Sequence, residues 1–303
     1  MNAQITQSKL AEIFVELDDL LLAYLDDQRR RGLPVSYKTR RGSLSASEVV
    51  TILTAYHLSG YKCFEYYYHQ DIKDRFAHCF PDAPSYKRFL NYIPRSLDLV
   101  TLYLLFSMSK SQRTGLYFID SKPLPVCHLR REHSHRVFKD LARKGKSSTG
   151  WFYGFKFHLV VNNLGQVVNC SFTPANVADN NQNLLRSLLS GLDGVCVGDK
   201  GYLSKLFAYF YEHKLLLLTK PRKNMKTRLQ TNRNNLLLSK RGVIESCFDI
   251  FTSVCNLEHT RHRSPVNALV HMMCSVLAYQ KLENRPRVFF PSLEPKLSLA
   301  PAA

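Results

Sequence analysis

The sequence lacks long apolar segments, and it lacks the usual features of an exported protein. Its most apolar runs, such as Leu215 to Leu218, end within a few residues, whereas a membrane-spanning helix needs roughly 20 apolar residues. The start, Met1 to Leu10, has no basic region followed by an apolar one, so we expect no signal peptide. We therefore expect a cytoplasmic protein that does not bind membranes.

Cysteines in zinc-ribbon spacing are also missing. The 8 cysteines never occur as Cys-x-x-Cys and fall mostly within apolar patterns, which favours reduced, buried thiols. One mixed group has irregular spacing for a zinc site; its members are Cys127, His128, His133 and His135. We interpret these histidines as surface residues that face a polyanion.

Acidic residues are few compared with basic ones. The chain has 42 Lys and Arg against 24 Asp and Glu, a net charge of +18, and an estimated isoelectric point of 9.6. Such a charge is typical of nucleic-acid-binding proteins, although ribosomal and membrane-surface proteins share it. The excess is greatest from Lys200 to Arg241, where eleven basic residues face a single acid, Glu212, for a local charge of +10. With 303 residues, 45% of them hydrophobic, the chain can still bury a large core.

The first hundred residues have helical periodicity. Leu10, Ile13 and Leu17 begin an apolar stripe at helical spacing, and a second helix is predicted after Ser45 or Ser47. Two further helices follow, and the last is broken near Pro94. Residues 1–112 are therefore predicted to form an all-helical domain. A helix-turn-helix DNA reader and a plain helical bundle are equally compatible with this pattern.

After Gly115 the pattern changes to strands that alternate with helices. Three carboxylates stand at the ends or starts of these predicted elements. Asp120 closes a short apolar run, Asp199 closes another, and Glu245 lies in the first turn of a helix. If the two strands are neighbours and the helix packs behind them, the three side chains converge. Carboxylate oxygens are preferred ligands of hard cations such as Mg²⁺.

Several motifs around these residues resemble the DDE transposases of bacterial insertion sequences. The motifs occur in the order Tyr117-Phe118-Ile119-Asp120-Ser121, Tyr153-Gly154-x-Lys156-x-His158, Thr173-Pro174-Ala175-Asn176-Val177-Ala178-Asp179, Gly198-Asp199-Lys200-Gly201-Tyr202, Arg241-Gly242-Val243-Ile244-Glu245-x-x-Phe248 and Arg261-His262-Arg263-Ser264. Their ordered occurrence is far more specific than any one motif alone.

The resemblance implies a fold and a chemistry. The expected fold is α/β and ribonuclease-H-like, with a mixed five-stranded sheet and flanking helices over residues 113–285 and a loose tail over residues 286–303. Asp120, Asp199 and Glu245 would be the catalytic, metal-binding carboxylates, with two Mg²⁺ or Mn²⁺ ions per site. The expected reaction is cleavage at the ends of an insertion element and joining of the 3′-hydroxyl to target DNA.

The expected partner is double-stranded DNA, both element ends and target. The protein would act as a homo-oligomer on DNA, associated with the bacterial nucleoid. We predict DNA contacts by a set of basic and imidazole side chains: Lys122, Lys156, His158, Lys200, Arg222, Lys223, Lys226 and Arg241.

The chain departs from the family pattern at two positions, and three other carboxylates compete with the expected metal ligands. Many related transposases have Tyr three residues before the Arg of the Glu helix and Lys seven after the Glu, but Leu238 and Thr252 stand there in this chain. Among rival carboxylates, Asp140 lies in a basic loop, Asp193 in a turn, and Asp179 is predicted to cap the following helix.

Two other functions remain open from sequence. One is a ribonuclease-H-like nuclease that cuts DNA without joining it. The other is a transposase-derived DNA-binding protein that uses the helical N-terminus and has no catalytic activity.

Overall fold

The structure, a computed structural model, describes residues 5–34, 44–148, 150–202, 206–220, 231–258 and 262–289. Every described element before residue 112 is helical. These elements are α1 (Gln7–Arg30), α2 (Ala46–Tyr56), α3 (Phe64–Tyr67), a π-helix (Tyr68–Arg75), α4 (Tyr86–Phe89), a 3₁₀ turn (Ile93–Ser96) and α5 (Leu97–Ser109). The described helices agree with the predicted helical pattern, and Pro94 lies in the 3₁₀ turn before α5; the all-helical domain over residues 1–112 stays a prediction.

Local sequence explains where the first helices begin. In α1 the buried residues are Leu10, Ile13, Leu17, Leu21 and Leu25, spaced three or four apart along one face. Ser45 caps α2: its hydroxyl accepts from the Glu48 N–H, while the Glu48 carboxylate accepts from the Ser45 N–H. This reciprocal pair satisfies two N–H groups that a helix start otherwise leaves without partners.

The second half of the chain contains one sheet and its flanking helices. The strands are β1 (Leu116–Cys127), β2 (Arg143–Ser147), β3 (Gly150–Asn162), β4 (Val167–Pro174), β5 (Gly194–Gly198) and β6 (Leu215–Thr219). The helices are α6 (Gln182–Leu189), α7 (Phe207–Glu212), α8 (Asn232–Ser239), α9 (Gly242–Ser253) and α10 (Pro265–Gln280), with short 3₁₀ turns at Leu129–Arg131 and Lys200–Tyr202.

The sheet is mixed. β1 pairs antiparallel with β3 and parallel with β5, and β5 pairs parallel with β6. Both β2 and β4 pair antiparallel with β3, β2 along residues 150–154 and β4 along residues 155–161. The mixed α/β architecture with flanking helices is as predicted and is compatible with a ribonuclease-H-like fold.

The predicted number of strands was wrong, because the described sheet has six strands instead of five. The additional strand, β2, comes from the basic segment before β3, which has no apolar alternation that would identify it. Its residues Arg143 to Ser147 form a strand because they pair across a tight hairpin with β3.

Alternation along β1 determines which side chains face which helices. Leu116 and Phe118 belong to the core that includes α9, whereas Tyr117 and Ile119 belong to the core that includes α6. Successive strand residues point to opposite faces of a sheet. Asp120 continues the series of Leu116 and Phe118, and it therefore lies on the α9 face.

The N-terminal helices share a core with the last described helix. α10 packs against α2 and α5, and its buried apolar residues from Val270 to Tyr279 belong to the same hydrophobic cluster as those of α1, α2 and α5. The boundary between domains at residue 112 stays a prediction.

The first residues of the predicted tail are hydrogen-bonded to the turn that follows β3. The Val288 N–H donates to the Asn163 carbonyl at 2.8 Å, and the Asn163 side chain donates back to the Val288 carbonyl at 3.1 Å. Residues 290–303 lie outside the described part of the chain.

Among the described residues, no helix combines the length and the apolar character needed to cross a bilayer.

Candidate active site

Asp120 is held by two donors on the α9 face of the sheet. The Ser121 N–H donates to Oδ1 at 2.8 Å, and Nη1 of Arg241 donates to Oδ2 at 2.7 Å. The prediction that Asp120 ends its strand was wrong, because β1 continues to Cys127 alongside β3. What ends near Asp120 is the pairing with β5, whose last pair is Ile119 with Gly198.

Glu245 reaches the same position from α9. It lies in the first turn of the helix, as predicted, and its Oε1 accepts from Nη2 of Arg241 at 2.6 Å. Arg241 stands four residues earlier, at the N-cap, so its guanidinium extends along the helix to Glu245 while its other nitrogen reaches Asp120. One side chain thus joins two of the three predicted carboxylates.

Asp199 lies on the strand next to Asp120. It directly follows β5, and the parallel register of β1 and β5 places it beside Asp120, one step beyond the last pair. The prediction that the two strands are neighbours is confirmed. The Asp199 carbonyl accepts from the Tyr202 N–H at 2.9 Å, which begins the short 3₁₀ turn of residues 200–202.

The three carboxylates do not form a preassembled metal site in this structure. In the described ranges, no three His, Cys, Asp or Glu side chains stand together as an assembled group for holding a metal ion. The direct contacts join Asp120 and Glu245 through Arg241, and Asp199 stands beside them. Closely spaced carboxylates repel one another unless a cation lies between them.

Burial raises the pKa of Asp120 from 3.8 to about 6. The Ser121 N–H and the Arg241 guanidinium lower this pKa, whereas the negative charges of Asp199 and Asp179 raise it. The ionised form of Asp120 is therefore under-compensated at neutral pH, even with Arg241 in contact. A site with this balance of charge is suited to an additional cation, and its oxygen donors match a hard divalent ion.

This raised pKa predicts a pH-dependent effect of Asp120→Asn on stability. The folded protein binds the Asp120 proton more tightly than the unfolded chain does, so the contribution of Asp120 to stability is greatest below pH 4 and falls as pH rises through about 6. Between pH 4 and pH 7 the stability of the asparagine variant relative to the wild type should therefore rise by up to about 3 kcal/mol. Urea denaturation in the presence of a chelator, at pH 7 and at pH 4, measures both differences. A variant that is no more stable at pH 7 than at pH 4, relative to wild type, would contradict the assignment.

A second polar cluster lies on the opposite face of β1. The Ser121 hydroxyl donates to Oδ1 of Asp179 at 2.9 Å, and Nζ of Lys156 donates to the same oxygen at 3.1 Å. The prediction that Asp179 caps α6 was wrong. Asn181 is the N-cap, and its side chain accepts from the Leu184 N–H at 3.1 Å.

Sequence reasoning missed the role of Asp179. The signal that could have identified it is Lys156, a cation within the apolar strand β3, since a buried ammonium needs a carboxylate partner. Asp179 provides that partner and is adjacent to Ser121, the residue after Asp120. It thus connects the segment after β4 with the strand that carries Asp120.

Lys156 and His158, both predicted to contact DNA, lie inside the protein. The Lys156 side chain is 11% exposed and that of His158 is fully buried, with Nε2 of His158 at 2.9 Å from the Thr173 hydroxyl. Burial lowers the pKa of His158 to about 4; Asp179 raises it and Lys156 lowers it further. The imidazole is therefore neutral at pH 7. Both side chains lie against Asp179 on its buried side.

The other predicted DNA contacts have varied surroundings. Lys200 is exposed next to Asp199, and Lys122 is half-buried with its Nζ at 3.1 Å from a Glu258 carboxylate oxygen. Arg241 contacts the two carboxylates described above. Three more, Arg222, Lys223 and Lys226, lie outside the described residues.

Comparison with known proteins adds one match. A family model described as a transposase DDE domain matches residues 110–265, a range that contains Asp120, Asp199 and Glu245 together with the Asp179 cluster. No curated protein matches the chain.

Proposed function

The chain belongs to the DDE transposase family, and from this premise we propose that it cleaves the ends of an insertion element and joins the freed 3′-hydroxyl to target DNA. The observation that carries the proposal is the contact of Asp120 and Glu245 with one guanidinium, beside Asp199 on the neighbouring strand. This arrangement unites three residues that are widely separated in sequence.

We assign the binding of divalent cations, Mg²⁺ or Mn²⁺ and two per site, to Asp120, Asp199 and Glu245. When bound, such ions supply activation of the attacking water or 3′-hydroxyl and neutralisation of charge on the leaving oxygen. The protein positions the reaction: β1 and β5 fix the two aspartates on rigid neighbouring strands, and α9 holds Glu245 against them. Arg241, with its single positive charge, contacts two of the three carboxylates, which keeps these side chains together on the α9 face.

The DNA-binding surface in this proposal is the basic segment around the carboxylates. Lys200 follows Asp199 directly, and the stretch from Lys200 to Arg241 carries a local charge of +10. Lysine and arginine side chains bind the phosphate backbone without regard to sequence, and each phosphate they neutralise adds to the salt dependence of binding.

Neutralising Arg222, Lys223 and Lys226 together to glutamine should weaken duplex binding and flatten its salt dependence. The slope of log affinity against log salt should decrease by about 0.9 for each phosphate that the variant no longer neutralises. Affinity measured by fluorescence anisotropy at four or more salt concentrations gives this slope.

The matched control removes three positive charges elsewhere, through Lys9→Gln, Lys110→Gln and Arg186→Gln. These side chains lie on α1, after α5 and on α6, where Lys9 and Lys110 form ion pairs with Glu12 and Glu16. If the control changes the slope as much as the triple variant does, the effect comes from net charge and the proposed surface is wrong.

A strand-joining assay tests the function itself. The protein is incubated with Mg²⁺ or Mn²⁺, labelled duplexes that carry the inverted repeats flanking its gene, and a plasmid target. A transposase yields cleaved ends and plasmid-joined product. Cleavage without joined product would identify a nuclease, and binding without either product would identify a DNA-binding protein; each of these outcomes contradicts the proposal.

A further inference from the structure

The hairpin of β2 and β3 presents the single tryptophan of the chain to solvent. Trp151 is 57% exposed and pairs in register with Lys146 across the hairpin. The ammonium groups of Lys144 and Lys146 lie 5.5 Å and 5.8 Å from the centre of the Trp151 ring. Both distances are within the range of a cation–π interaction, so the indole ring is flanked by two positive charges.

These two lysines are available to bind a negatively charged ligand. Both are exposed, and no salt bridge joins either of them to a carboxylate within the described part of the chain. Lys156, by contrast, is paired with Asp179 in the interior. The hairpin surface therefore offers a broad aromatic face together with uncompensated positive charge.

A cavity of about 440 Å³ opens beside the ring. Its lining includes Lys144, Lys146, Trp151, Lys156, Asp179 and Gly201. This volume falls within the range of about 300–1,000 Å³ that is common for small-molecule sites. The charged residues of the lining are three lysines and one aspartate, a net charge of 3 − 1 = +2, and they surround the Trp151 ring. This combination favours a ligand with one flat aromatic group and negative charge.

The hairpin is held in place by close backbone packing. At Gly145, a Cβ atom would lie closer to the Ala175 carbonyl oxygen than any real contact allows, so only glycine permits this approach of β2 to the segment after β4. The hairpin that carries Trp151 is thereby held against Ala175 before any ligand binds. A preorganised aromatic surface loses little conformational freedom on binding.

The cavity is close to the proposed catalytic residues. Gly201 stands two residues after Asp199, and a Cβ at Gly201 would lie 3.7 Å from Oδ2 of Asp179. Asp179 also accepts from the hydroxyl of Ser121, the residue next to Asp120. The cavity therefore adjoins residues that neighbour Asp120 and Asp199 in sequence, on the face of β1 opposite Asp120.

We propose that Trp151, Lys144 and Lys146 bind an unpaired nucleotide of the DNA substrate, with its base stacked on the indole ring and its phosphates near the two ammonium groups. This inference rests on the proposed function, which supplies DNA as the partner. The base must be unpaired, because the faces of bases inside a duplex are already covered by their neighbours. Aromatic side chains that stack bases, next to a positive groove, are the usual means of binding single-stranded nucleic acid.

The single tryptophan makes the site directly observable. Fluorescence excited at the red edge of the indole band, where the 16 tyrosines do not absorb, reports Trp151 alone. Titration with unlabelled single-stranded oligothymidylate should change this emission, whereas a duplex of equal length without unpaired ends should change it much less. Binding of each DNA is followed in parallel by anisotropy of a labelled copy. Saturation by the single strand without a change in tryptophan emission would overturn the proposal.

Variants give the second test. Trp151→Ala should weaken single-strand affinity by about 10-fold or more, and Trp151→Phe should restore most of it, since stacking requires only an aromatic face. Lys144→Gln with Lys146→Gln should reduce the single-strand salt slope by about 0.7 for each phosphate that is no longer neutralised. The matched control is Tyr66→Ala, which removes an exposed aromatic ring on α3.

The outcomes separate this inference from the function on which it rests. Equal loss of single-strand affinity in Tyr66→Ala and Trp151→Ala, or no loss in either, overturns the nucleotide site while strand joining by the wild type still supports a transposase. Absence of binding to both single-stranded and duplex DNA overturns the proposed function as well. If Trp151→Ala does not fold, the emission of the wild type and the affinity of Trp151→Phe still decide the question.

Discussion

Replacing Asp120 by asparagine or Glu245 by glutamine is expected to lower DNA cleavage by at least about 10²-fold, the scale of losing one strong electrostatic stabiliser of a transition state. Each change removes a carboxylate charge and leaves side-chain size almost unchanged. Duplex affinity should stay close to that of the wild type, because the basic surface is intact. Cleavage of labelled duplex in Mg²⁺ and anisotropy under the same salt conditions measure the two quantities.

The control for these variants is Asp193→Asn. Asp193 is an exposed carboxylate in the turn before β5, so its replacement removes the same charge from a position outside the proposed site. It should cleave at the wild-type rate. Near-normal cleavage by Asp120→Asn or Glu245→Gln would refute the site, and a parallel loss of cleavage in Asp193→Asn would show that the effect is not specific to it.

Phe157→Ala is expected to lower the free energy of unfolding by about 3–5 kcal/mol. Phe157 is fully buried on β3, where its ring lies 4.8 Å from that of Phe172, 5.2 Å from that of Phe251 and 6.0 Å from that of Phe248. The last two belong to α9, so this aromatic group attaches the Glu245 helix to the sheet. Truncation leaves a cavity at that junction. Urea denaturation followed by circular dichroism measures the decrease in stability.

The matched control is the same substitution at Phe289, which is 74% exposed. Phe289→Ala should change stability by no more than about 0.5 kcal/mol. Phe157→Leu should cost less than Phe157→Ala, because it refills part of the cavity. A decrease below about 1 kcal/mol in Phe157→Ala would mean that the packing between β3 and α9 contributes little to the fold.

Much of the site could be predicted from sequence because its residues adjoin strong local patterns. The apolar run before Asp120, the short strand before Asp199 and the helical stripe around Glu245 each carry a clear period. The order of the motifs then indicated the family, and the fold of that family predicted that the strands before Asp120 and Asp199 are neighbours. The α9 face was also accessible in principle, since Asp120 has the same parity as Leu116 and Phe118.

The rest depends on contacts between distant segments, which no local pattern encodes. Two prolines, Pro123 and Pro125, make the sequence after Asp120 resemble a strand end. The structure accommodates them because β1 has only β3 beside it there, β5 having ended. In the same way, Asp179 resembles a helix cap until Lys156 and Ser121 are brought against it across the sheet.

The shared core of the N-terminal helices and α10 has a consequence for how the protein is made. α5 ends at Ser109 and α10 ends at Gln280. At about 5–20 residues per second, a ribosome needs on the order of 10–30 s to synthesise the chain between these points. During that time the apolar faces of α2 and α5 have emerged but their partner has not. The nascent chain therefore exposes these apolar faces, which are prone to aggregation, until α10 has been synthesised.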